Sequence, residues 1–374
     1  MRVLVTGGAG FIGSHLVDAL IHRGDEVRVL DNLDLQAHGG RLPDYLNSQA
    51  EYRFGDLRDA DTVAAALEDV DAVSHQASRV GIAHSLQEIR KYTDANVMGT
   101  ATLIEEMVRR RDQIRQVVVA SSMSVYGEGR YECPECGQVD PPPRAEARLA
   151  EGLWEVPCPH CGETTAAAPT PEAKAMAPQS VYAINKRDQE ELTLVACAAY
   201  GLPAVALRYS NIYGRRQALS NPYTGVVAIF ISRLLNDRAP VVFEDGSQLR
   251  DLTHVDDAVQ ANLLALDPER PPTGVFNVGA GCPVTVGALA RTLATVLDRA
   301  IEPEITGEYR RGDTRHFFTD TDRIQTTLGF RAQVGLKEGL ADLVDWAAHR
   351  RPADRFGEAL AELRRLGLTG DGHE

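Results

Sequence analysis

The sequence predicts an α/β fold with a doubly wound parallel sheet, a smaller C-terminal domain and one inserted module. Three observations support this prediction. Short apolar strands alternate with helical stretches in the first half of the chain, a glycine-rich turn follows the first strand, and two pairs of cysteines interrupt the alternation between about residues 128 and 178. Strands that alternate with helices are typical of a parallel sheet covered by helices on both faces.

Each predicted element rests on a short stretch of sequence. Buried strands are predicted at 2–6 (RVLVT), 26–30 (EVRVL), YRF, 71–75 (DAVSH), 116–121 (QVVVAS) and 203–210 (PAVALRYS), with later strands at VVF and GVFNVG. Helices are predicted at about 11–23, 60–68, 93–110, 180–200, 255–267, 285–298 and 336–349, followed by a charged amphipathic helix at 354–368. Gly24 is placed to end the first helix, because glycine readily takes the left-handed backbone angle that terminates helices. Between 128 and 178 no helical or strand periodicity remains, which indicates an insertion.

Composition and charge exclude some classes of protein. The 374 residues carry 39 basic and 53 acidic side chains, a formal charge of −14. This balance argues against nucleic-acid binding, which needs a basic face to displace counterions from phosphates. The N-terminal stretch does not resemble a signal peptide, and no apolar run reaches the roughly 18 residues needed to span a membrane. Clustered cysteines in an unsecreted chain fit reduced thiols, so we expect a cytoplasmic protein.

The turn TGGAGFIG joins the first strand to the first helix. Its glycines, Gly7, Gly10 and Gly13, allow a tight turn, a close approach to a pyrophosphate and close packing of helix on strand. The helix N-terminus then offers free N–H groups to the phosphates. Asp31 ends the second strand, where its carboxylate can bind ribose hydroxyls and would repel a 2′-phosphate. The turn therefore predicts a Rossmann domain that binds NAD in preference to NADP. Asp56 ends the third strand and fits either an adenine contact or a helix N-cap.

Tyr182 and Lys186 lie four residues apart on a predicted helix and therefore share one face. An ammonium beside a phenol favours the phenolate, so we expect Lys186 to lower the pKa of Tyr182 and make it a usable proton acceptor. Ser122 follows a strand end, at the edge of the sheet where ligands bind in such folds. Its hydroxyl can bridge the tyrosine and a substrate. These three residues are the predicted catalytic group.

Taken together, these motifs resemble the extended short-chain dehydrogenases/reductases, in the sugar-nucleotide epimerase/dehydratase family, over roughly residues 1–350 apart from the insertion. The motifs are TGGAGFIG, DN at 31–32, GDLRD, HQAS (75–78), NVMGT (96–100), SSMSVYG, YxxxK, LRYSNIYG (207–214), RDLTHVDD (250–257) and RRGDTR (310–315). The resemblance implies that Ser122 and Tyr182 hold a sugar C4 hydroxyl and that Lys186 binds the nicotinamide ribose. It also implies a homodimer.

The same resemblance assigns further residues to the two ligands. The cofactor-binding residues are Gly7, Gly10, Phe11, Ile12, Gly13, Asp31, Asn32, Asp56, Leu57, Gln76, Ala77, Asn96, Ser121, Tyr182, Lys186 and Tyr209. The substrate-binding residues are Arg79, Ser122, Ser124, Asn211, Arg250, Arg310 and Asp313, with the arginines suited to a nucleotide diphosphate. On this basis we divide the chain into an NAD-binding domain (1–209 with about 252–282), the insertion (128–178), a substrate domain (210–251 and 283–350) and a helical tail (351–374).

Two positions next to Ser122 bear on the reaction. Related 4,6-dehydratases carry an Asp-Glu pair after the catalytic Ser/Thr, and decarboxylating relatives usually keep the Glu, but this chain has Met123 and Ser124. Epimerisation at C4 through a 4-keto sugar needs neither acid. The stretches at 169–174, 181–190 and 215–236 resemble dTDP-L-rhamnose 4-epimerases, which make dTDP-6-deoxy-L-talose. A UDP-glucuronate or UDP-hexose 4-epimerase, a decarboxylase and a non-catalytic NAD-sensing regulator with a zinc ribbon are the alternatives.

CPEC and CPHC supply four cysteines, Cys133, Cys136, Cys158 and Cys161, and a glycine follows each pair. C-P-x-C-G is typical of a zinc knuckle, and two knuckles complete a closed tetrahedral site that suits structural rather than catalytic zinc. Four free thiols or two disulfides are the alternatives, and His160 is not expected to be a ligand. The insertion leaves the serine strand and returns to the tyrosine helix, so we expect it at the rim of the pocket.

We therefore expect the insertion to act as a lid or an oligomer contact that the metal orders. Trp154 and Arg144 are its candidate lid contacts, although surface packing also explains each of them.

Overall fold

The computed structural model describes residues 1–372 and confirms the alternation of strands and helices in the first half of the chain. The elements up to the predicted catalytic serine are β1 (Arg2–Thr6), α1 (Phe11–His22), β2 (Glu26–Asp31), α2 (Leu35–His38), β3 (Glu51–Phe54), α3 (Ala60–Ala66), β4 (Ala72–His75), α4 (Ile82–Ser85), α5 (Ile89–Thr93), a π-helical turn (Asp94–Met98), α6 (Gly99–Arg109), β5 (Gln116–Ser122) and a 3₁₀ turn (Met123–Tyr126). Gly24 follows α1 with a φ of +91°, as expected for the residue that ends it.

The insertion, residues 128–178, contains more regular structure than its sequence indicates. It holds β6 (Arg130–Cys133), β7 (Gly137–Val139), α7 (Glu146–Ala150) and β8 (Ala166–Ala168), with the strands paired in the order β7-β6-β8. Strands of three or four residues are too short to show an alternating pattern, so they could not be predicted from the sequence. Tyr131, Val139 and Val156 form a small core with two of the cysteines.

The insertion joins the main domain at a narrow neck. There the backbone N–H of Ala177 donates to the carbonyl of Val125 over 2.9 Å, so the outgoing and returning chain segments lie side by side. Gly127, at the same point, has a φ of +69°, and a Cβ on it would lie 2.4 Å from the carbonyl oxygen of Ala177. The neck therefore leaves no room for a larger residue at this position.

The rest of the chain completes the central sheet and builds a second lobe. Its elements are α8 (Val181–Ala199), β9 (Ala204–Tyr209), β10 (Asn211–Tyr213), α9 (Val226–Leu235), β11 (Val241–Val242), β12 (Leu249–His254), α10 (Val255–Ala265), β13 (Gly274–Val278), β14 (Pro283–Thr285), α11 (Val286–Val296), β15 (Glu304–Ile305), β16 (Glu308–Arg310), α12 (Asp322–Leu328), α13 (Leu336–Ala348), α14 (Phe356–Arg365) and β17 (Thr369–Asp371). The sequence analysis missed α9 and α12.

Seven parallel strands form the central sheet in the order β13-β9-β5-β4-β1-β2-β3. The strand order reverses between β1 and β4, because β1 pairs with both β2 and β4. In open α/β sheets the crevice at such a reversal, beyond the carboxyl ends of the strands, is the place where ligands bind. The glycine turn, which follows β1, and Ser122, which ends β5, both lie at this edge.

The three largest apolar cores fill the two lobes. Side chains alternate along β1, so Val3 and Val5 face the core formed with α1 and α10, while Leu4 faces the core formed with α3 and α6. The third core lies in the second lobe and joins α9, α11 and α13 to β12. Within residues 1–372, no helix is both long and apolar enough to cross a membrane.

Candidate active site

A cleft of about 550 Å³ opens between the carboxyl edge of the central sheet and the second lobe. Every residue that the sequence analysis assigned to the cofactor, the substrate or the reaction lines it. These are Gly7, Gly10, Phe11, Ile12, Gly13, Asp31, Asn32, Asp56, Leu57, Gln76, Ala77, Arg79, Asn96, Ser121, Ser122, Ser124, Tyr182, Lys186, Tyr209, Asn211, Arg250, Arg310 and Asp313. The structure thus brings together residues from distant parts of the chain, while their roles toward ligands stay predictions.

The glycine turn is packed so tightly that side chains are excluded. Gly7 has a φ of +69°, and a Cβ on it would lie 2.7 Å from the Cα of Ala77. A Cβ on Gly13 would lie 2.2 Å from the carbonyl oxygen of Gly7. The turn therefore presents bare backbone to the cleft at the start of α1, where the first N–H groups of the helix have no acceptor within it. This cradle fits a pyrophosphate.

Asp31 is 7% exposed and its carboxylate is already oriented. It accepts hydrogen bonds from the N–H groups of Ala9, at 3.0 Å, and Leu33, at 2.9 Å. The ring of His38 lies 3.6 Å from the same carboxylate. The geometry fits a carboxylate held ready at the end of β2 for ribose hydroxyls.

Asp56 is not a helix N-cap, contrary to one of the two predictions for it. The cap of α3 is Asp59, whose side chain accepts from the N–H of Asp61. Asp56 instead accepts from the side chains of Arg58, at 2.8 Å, and Asn32, at 3.2 Å. The Arg58 guanidinium holds the pKa of the Asp56 carboxyl far below its ordinary value. Asp56 therefore stays ionised where it lines the cleft.

A buried amide network supports the middle of the cleft. The hydroxyl of Tyr209 donates to Gln76 over 3.2 Å and accepts from Asn262 over 2.6 Å, and Gln76 donates to Asn262 over 2.9 Å. The sequence analysis missed Asn262, which lies on α10 and gives no motif of its own. Asn96 is fully buried and binds the backbone N–H and carbonyl of Arg79. Ser121 donates to the buried carboxylate of Glu190 over 2.6 Å.

Helix α8 carries the predicted proton acceptor. Its N-cap is Ser180, whose hydroxyl accepts from the N–H of Ala183. Tyr182, in the first turn, lies close enough to Ser122 for the serine hydroxyl to act on the pKa of the phenol. Lys186, one turn later, is 4% exposed and donates to the carbonyl of Ala120 over 2.8 Å. Because Ala120 and Ser122 both lie on β5, this strand orients the tyrosine and the lysine together.

The prediction that Lys186 lowers the pKa of Tyr182 is wrong for this structure. Burial raises the pKa of Tyr182 to about 12, and the nearby hydroxyl of Ser122 only partly opposes this rise. Burial also lowers the pKa of Lys186 to about 7, since a buried ammonium loses its hydration. Desolvation is thus the largest effect on both groups. Spacing on a helix places two residues on one face but does not reveal how deeply they are buried.

The predicted substrate residues differ in whether their charged groups already have partners. Arg79 forms ion pairs with Asp34 and with Glu88, the latter at 3.3 Å. Arg310 pairs with Asp313 at 2.7 Å. Its guanidinium also lies 4.6 Å from the ring centre of Phe243.

The guanidinium of Arg250 is held by backbone carbonyls. It donates to the carbonyls of Leu249 and Arg315, at 2.8 and 3.0 Å, and to the carbonyl of Thr314 at 2.7 Å. Asn211 is polar, and its buried Oδ1 has no partner within residues 1–372. The positive charge of Arg250 suits an anionic ligand, and the free Oδ1 of Asn211 suits a hydrogen-bond donor of the ligand.

The tail helix α14 and the residues after it form an apolar wall of the cleft. The residues of this wall are Phe356, Ala359, Leu360, Leu363 and Leu368, and they lie near Phe243 and Ile229 of the second lobe. Strand β17 pairs with β16, which ends at Arg310. The sequence analysis identified the helix as amphipathic but gave it no part in the site.

The insertion does not act as a lid on this cleft, because none of residues 128–178 lines it. Arg144 is instead buried in an ion cluster, with Glu244 at 2.8 Å and Glu128 at 3.3 Å. Trp154 packs against Tyr309, with ring centres 6.4 Å apart. The prediction of Arg144 and Trp154 as lid contacts is therefore wrong, since both join the insertion to the second lobe.

The four cysteines of the insertion come together as the spacing predicts. Their sulfurs all lie within 4.8 Å of one another, and those of Cys133 and Cys161 are 3.5 Å apart. None of the chain's six cysteines forms a disulfide. The glycines after the pairs, Gly137 and Gly162, have φ angles of +72° and +79°. The backbone N–H groups of His160 and Cys161 donate to the sulfur of Cys158.

Comparisons with known proteins point to one family. The sequence profile of the NAD dependent epimerase/dehydratase family matches residues 3–146 and 159–279. A dTDP-L-rhamnose 4-epimerase from Burkholderia thailandensis is 33% identical over 355 residues, which cover 93% of this chain and 95% of that protein.

Solved structures with a similar fold belong to enzymes that act on nucleotide sugars. The UDP-glucose 4-epimerase of Thermotoga maritima, crystallised with UDP-glucose, is 31% identical with a TM-score of 0.76, over 93% of this chain and 99% of that chain. The UDP-glucose 4-epimerase of Thermus thermophilus, in complex with NAD, is 30% identical with a TM-score of 0.75, over 94% of this chain and 100% of that chain. A dTDP-sugar enzyme and two UDP-sugar enzymes are thus similar to this chain along nearly their whole length.

Proposed function

The chain belongs to the NAD-dependent epimerase/dehydratase family, and we propose that within this family it is a nucleotide-sugar 4-epimerase. The glycine cradle, Asp31 and the amide network around Tyr209 would hold NAD. When bound, NAD supplies the acceptor and donor for the hydride at C4 of the sugar. In its phenolate form Tyr182 would take the proton of the C4 hydroxyl and later return it, and Ser122, whose hydroxyl lies close enough to lower the pKa of the phenol, would orient that hydroxyl.

The main support for this proposal is that every carboxylate lining the cleft is already bound to a partner. Four carboxylates line it, and each already has partners: Asp31 binds backbone N–H groups, Asp34 binds Arg79, Asp56 binds Arg58 and Asp313 binds Arg310. Beside Ser122 stand Met123 and Ser124, and neither can remove a proton from C5. A site with one proton acceptor and no spare acid favours epimerisation over dehydration.

Within this class we propose a dTDP-6-deoxyhexose as substrate, with dTDP-L-rhamnose and dTDP-6-deoxy-L-talose as the interconverting pair. The 33% identity to a dTDP-L-rhamnose 4-epimerase supports this choice. The likeness to UDP-glucose 4-epimerases keeps a UDP-sugar as the second candidate. A hydrophobic pocket separates substrates that differ in one small group by only about 1–3 kcal/mol, so the sugar depends on few contacts.

The test is a panel of dTDP-, UDP- and GDP-sugars incubated with purified protein in heavy water, followed by separation and mass analysis. We expect C4 epimers to form without added cofactor and without deuterium in the product, because the C4 hydrogen travels as hydride. Deuterium in a product that has lost water would instead indicate a 4,6-dehydratase. Bound NAD without conversion of any sugar would favour the sensor alternative.

We also propose that the four cysteines of the insertion bind one structural zinc ion. Four sulfurs held about 2.3 Å from zinc in a tetrahedron lie about 3.8 Å apart, and the sulfur cluster approaches this size. The N–H groups that point at Cys158 and the positive φ angles of the two glycines support a knuckle. With four sulfur ligands the ion has no position for water, which suits a structural role.

Metal analysis tests the zinc site. We expect about one zinc per chain in the native protein, loss of zinc in Cys133→Ser, and retention in the control Cys282→Ser, whose cysteine is exposed and outside the cluster. Faster proteolysis within residues 128–178 should accompany the loss of zinc. Native protein without zinc and with a protease-resistant insertion would exclude the proposal.

A homodimer and a cytoplasmic location are part of the same proposal. The homodimer rests on the family resemblance, and the location rests on the six cysteines, none of which forms a disulfide. Light scattering of the purified protein should give twice the chain mass of 40.7 kDa. A monomer at micromolar concentration would contradict the homodimer.

A further inference from the structure

The loop 310–315 joins β16 to the segment that pairs with β12, and it carries two predicted substrate contacts, the cation Arg310 and the carboxylate of Asp313. Arg250, another predicted cationic contact, donates to the carbonyls of Thr314 and Arg315 in the same loop. The position of this loop therefore sets the position of both arginines. The contacts that hold the loop therefore also determine where the positive charges of Arg250 and Arg310 lie in the cleft.

The insertion holds this loop through Arg144. The Arg144 guanidinium donates to the carbonyl of Asp313 over 3.0 Å and to both carboxylate oxygens of Glu244, at 2.8 and 3.1 Å. Its side chain is 5% exposed, and Glu128 approaches it at 3.3 Å. One side chain of the insertion thus fixes the backbone next to a predicted substrate contact.

A second attachment is centred on Arg315, whose side chain is fully buried. It binds Glu244 at 2.9 Å and Asp245 at 2.7 Å from the second lobe, and Glu155 of the insertion through Nε at 3.1 Å. Glu155 also binds the ring of His316 at 3.0 Å.

The start of the insertion binds the loop as well. The carboxylate of Glu128 accepts from the backbone N–H of Arg315 at 2.9 Å, and Thr314 donates to the carbonyl of Gly127 over 2.9 Å. The loop is therefore fastened to the insertion at consecutive residues, and the loop itself has no helix or strand of its own between Arg310 and His316.

We propose that the insertion is a positioning element for the anion-binding loop, with Arg144 and Glu155 as its positioning residues. The proposal rests on the proposed function only in taking Arg250 and Arg310 as diphosphate contacts. Buried, hydrogen-bonded charges fix geometry well, and a preformed site loses less ordering entropy when its ligand binds. The insertion thereby raises affinity for the nucleotide diphosphate from outside the cleft, without touching the ligand.

The test measures binding of dTDP and UDP to the NAD-loaded protein by calorimetry, beside KM, kcat and NAD content. Glu155→Gln is the first variant, because its carboxylate is half exposed and its loss is compatible with folding. Arg144→Met is the second, and Arg144→Lys is its conservative partner. Arg130→Ala is the control, since Arg130 pairs with Asp140 within the insertion.

We expect Arg144→Met and Glu155→Gln to weaken nucleoside diphosphate binding about tenfold, which corresponds to one lost charge-assisted hydrogen bond. KM should rise in parallel, with kcat and NAD content close to wild type, and Arg144→Lys should recover part of the affinity. Diphosphate affinity within a factor of about two of wild type in folded Glu155→Gln and Arg144→Met, or equal losses in Arg130→Ala, would overturn the proposal.

Removal of metal from the wild-type protein gives a second measurement. A chelator should lower diphosphate affinity as zinc is lost, leave NAD bound, and be reversed by added zinc. Unchanged affinity in the metal-free protein would exclude a role for the metal in positioning. Since binding of dTDP or UDP requires no turnover, this outcome is separable from a failure of the proposed epimerisation.

Discussion

The phenol of Tyr182 lies close enough to the side chain of Ser122 for the serine hydroxyl to lower its pKa, although the whole insertion separates the two residues in the chain. The neck makes this possible, because the bond from Ala177 to Val125 returns the chain to the point where it left. The predicted catalytic pair is therefore brought together by β5 and α8, and none of its residues lies in the insertion.

Replacement of the phenol is the first prediction. Tyr182→Phe keeps the ring and removes the proton acceptor, so we expect turnover to fall by at least about a hundredfold, the usual contribution of acid–base catalysis. NAD content should stay at the wild-type level, as measured in the extract of the denatured protein. Activity above about a tenth of wild type would contradict the role of the phenolate.

The second prediction concerns Lys186. Its pKa is about 7 in the folded protein against an ordinary value of 10.5, so the unfolded chain binds a proton that the folded chain lacks between these pH values. The cost of burying this lysine is thus largest at about pH 7 and below and disappears as pH rises toward 10.5. We expect Lys186→Met to be inactive yet more stable by about 1–3 kcal/mol at pH 7.

Urea unfolding of the cofactor-free proteins checks this prediction. The stability difference between the variant and the wild type should narrow from pH 7 to pH 9, since the wild type gains stability over this range. A variant less stable than the wild type at pH 7 would mean that the bond from Lys186 to the carbonyl of Ala120 outweighs the cost of burial.

The third prediction concerns the glycine cradle. A Cβ at position 13 would lie 2.2 Å from the carbonyl oxygen of Gly7 and 2.8 Å from the Cα of Gly8, both backbone atoms. Gly13→Ala must therefore move the turn, and we expect NAD content to fall at least about tenfold with a lower melting temperature. Gly357→Ala is the control, because nothing lies within 4 Å of a Cβ at that exposed position. If Gly13→Ala kept its NAD, the proposal that this turn binds the cofactor would be wrong.

The apolar wall of the tail gives a fourth prediction. Leu360 lines the cleft and packs in the same apolar cluster as Phe243, whose ring lies against Arg310, so we expect the nucleoside end of the substrate to lie along it. Leu360→Ser removes roughly two methyl or methylene contacts, and KM should rise about 3- to 10-fold with kcat nearly unchanged. Leu366→Ser, on an exposed leucine just after the same helix, is the matched control. Equal KM values for the two variants would exclude a tail contact with substrate.

Much of the site could be predicted from the sequence because local spacing encodes it. The glycine turn, the acidic end of β2 and the Tyr182/Lys186 pair each lie within a few residues of one element, and all of them line the cleft. The parallel sheet followed from the alternation of strands and helices. The cysteine spacing likewise predicted the cluster of four sulfurs.

The remaining features depend on contacts between distant segments, which the spacing of residues along the sequence does not reveal. Arg144 and Glu244 are 100 positions apart, and Asn262 meets Tyr209 only because α10 packs behind β9. The raised pKa of Tyr182 was missed for the same reason, since burial is set by tertiary packing. The wrong prediction of a lid came from reasoning about where the insertion begins and ends, whereas its ion pairs determine where it lies.

The insertion is joined to the first domain by one pair of chain segments beside Ser122 and to the second lobe by buried ion pairs. It therefore bridges the two walls of the cleft from outside. A sequence change within the insertion can alter the wall that carries Arg250 and Arg310 while the strand and the helix that hold Ser122 and Tyr182 stay unchanged.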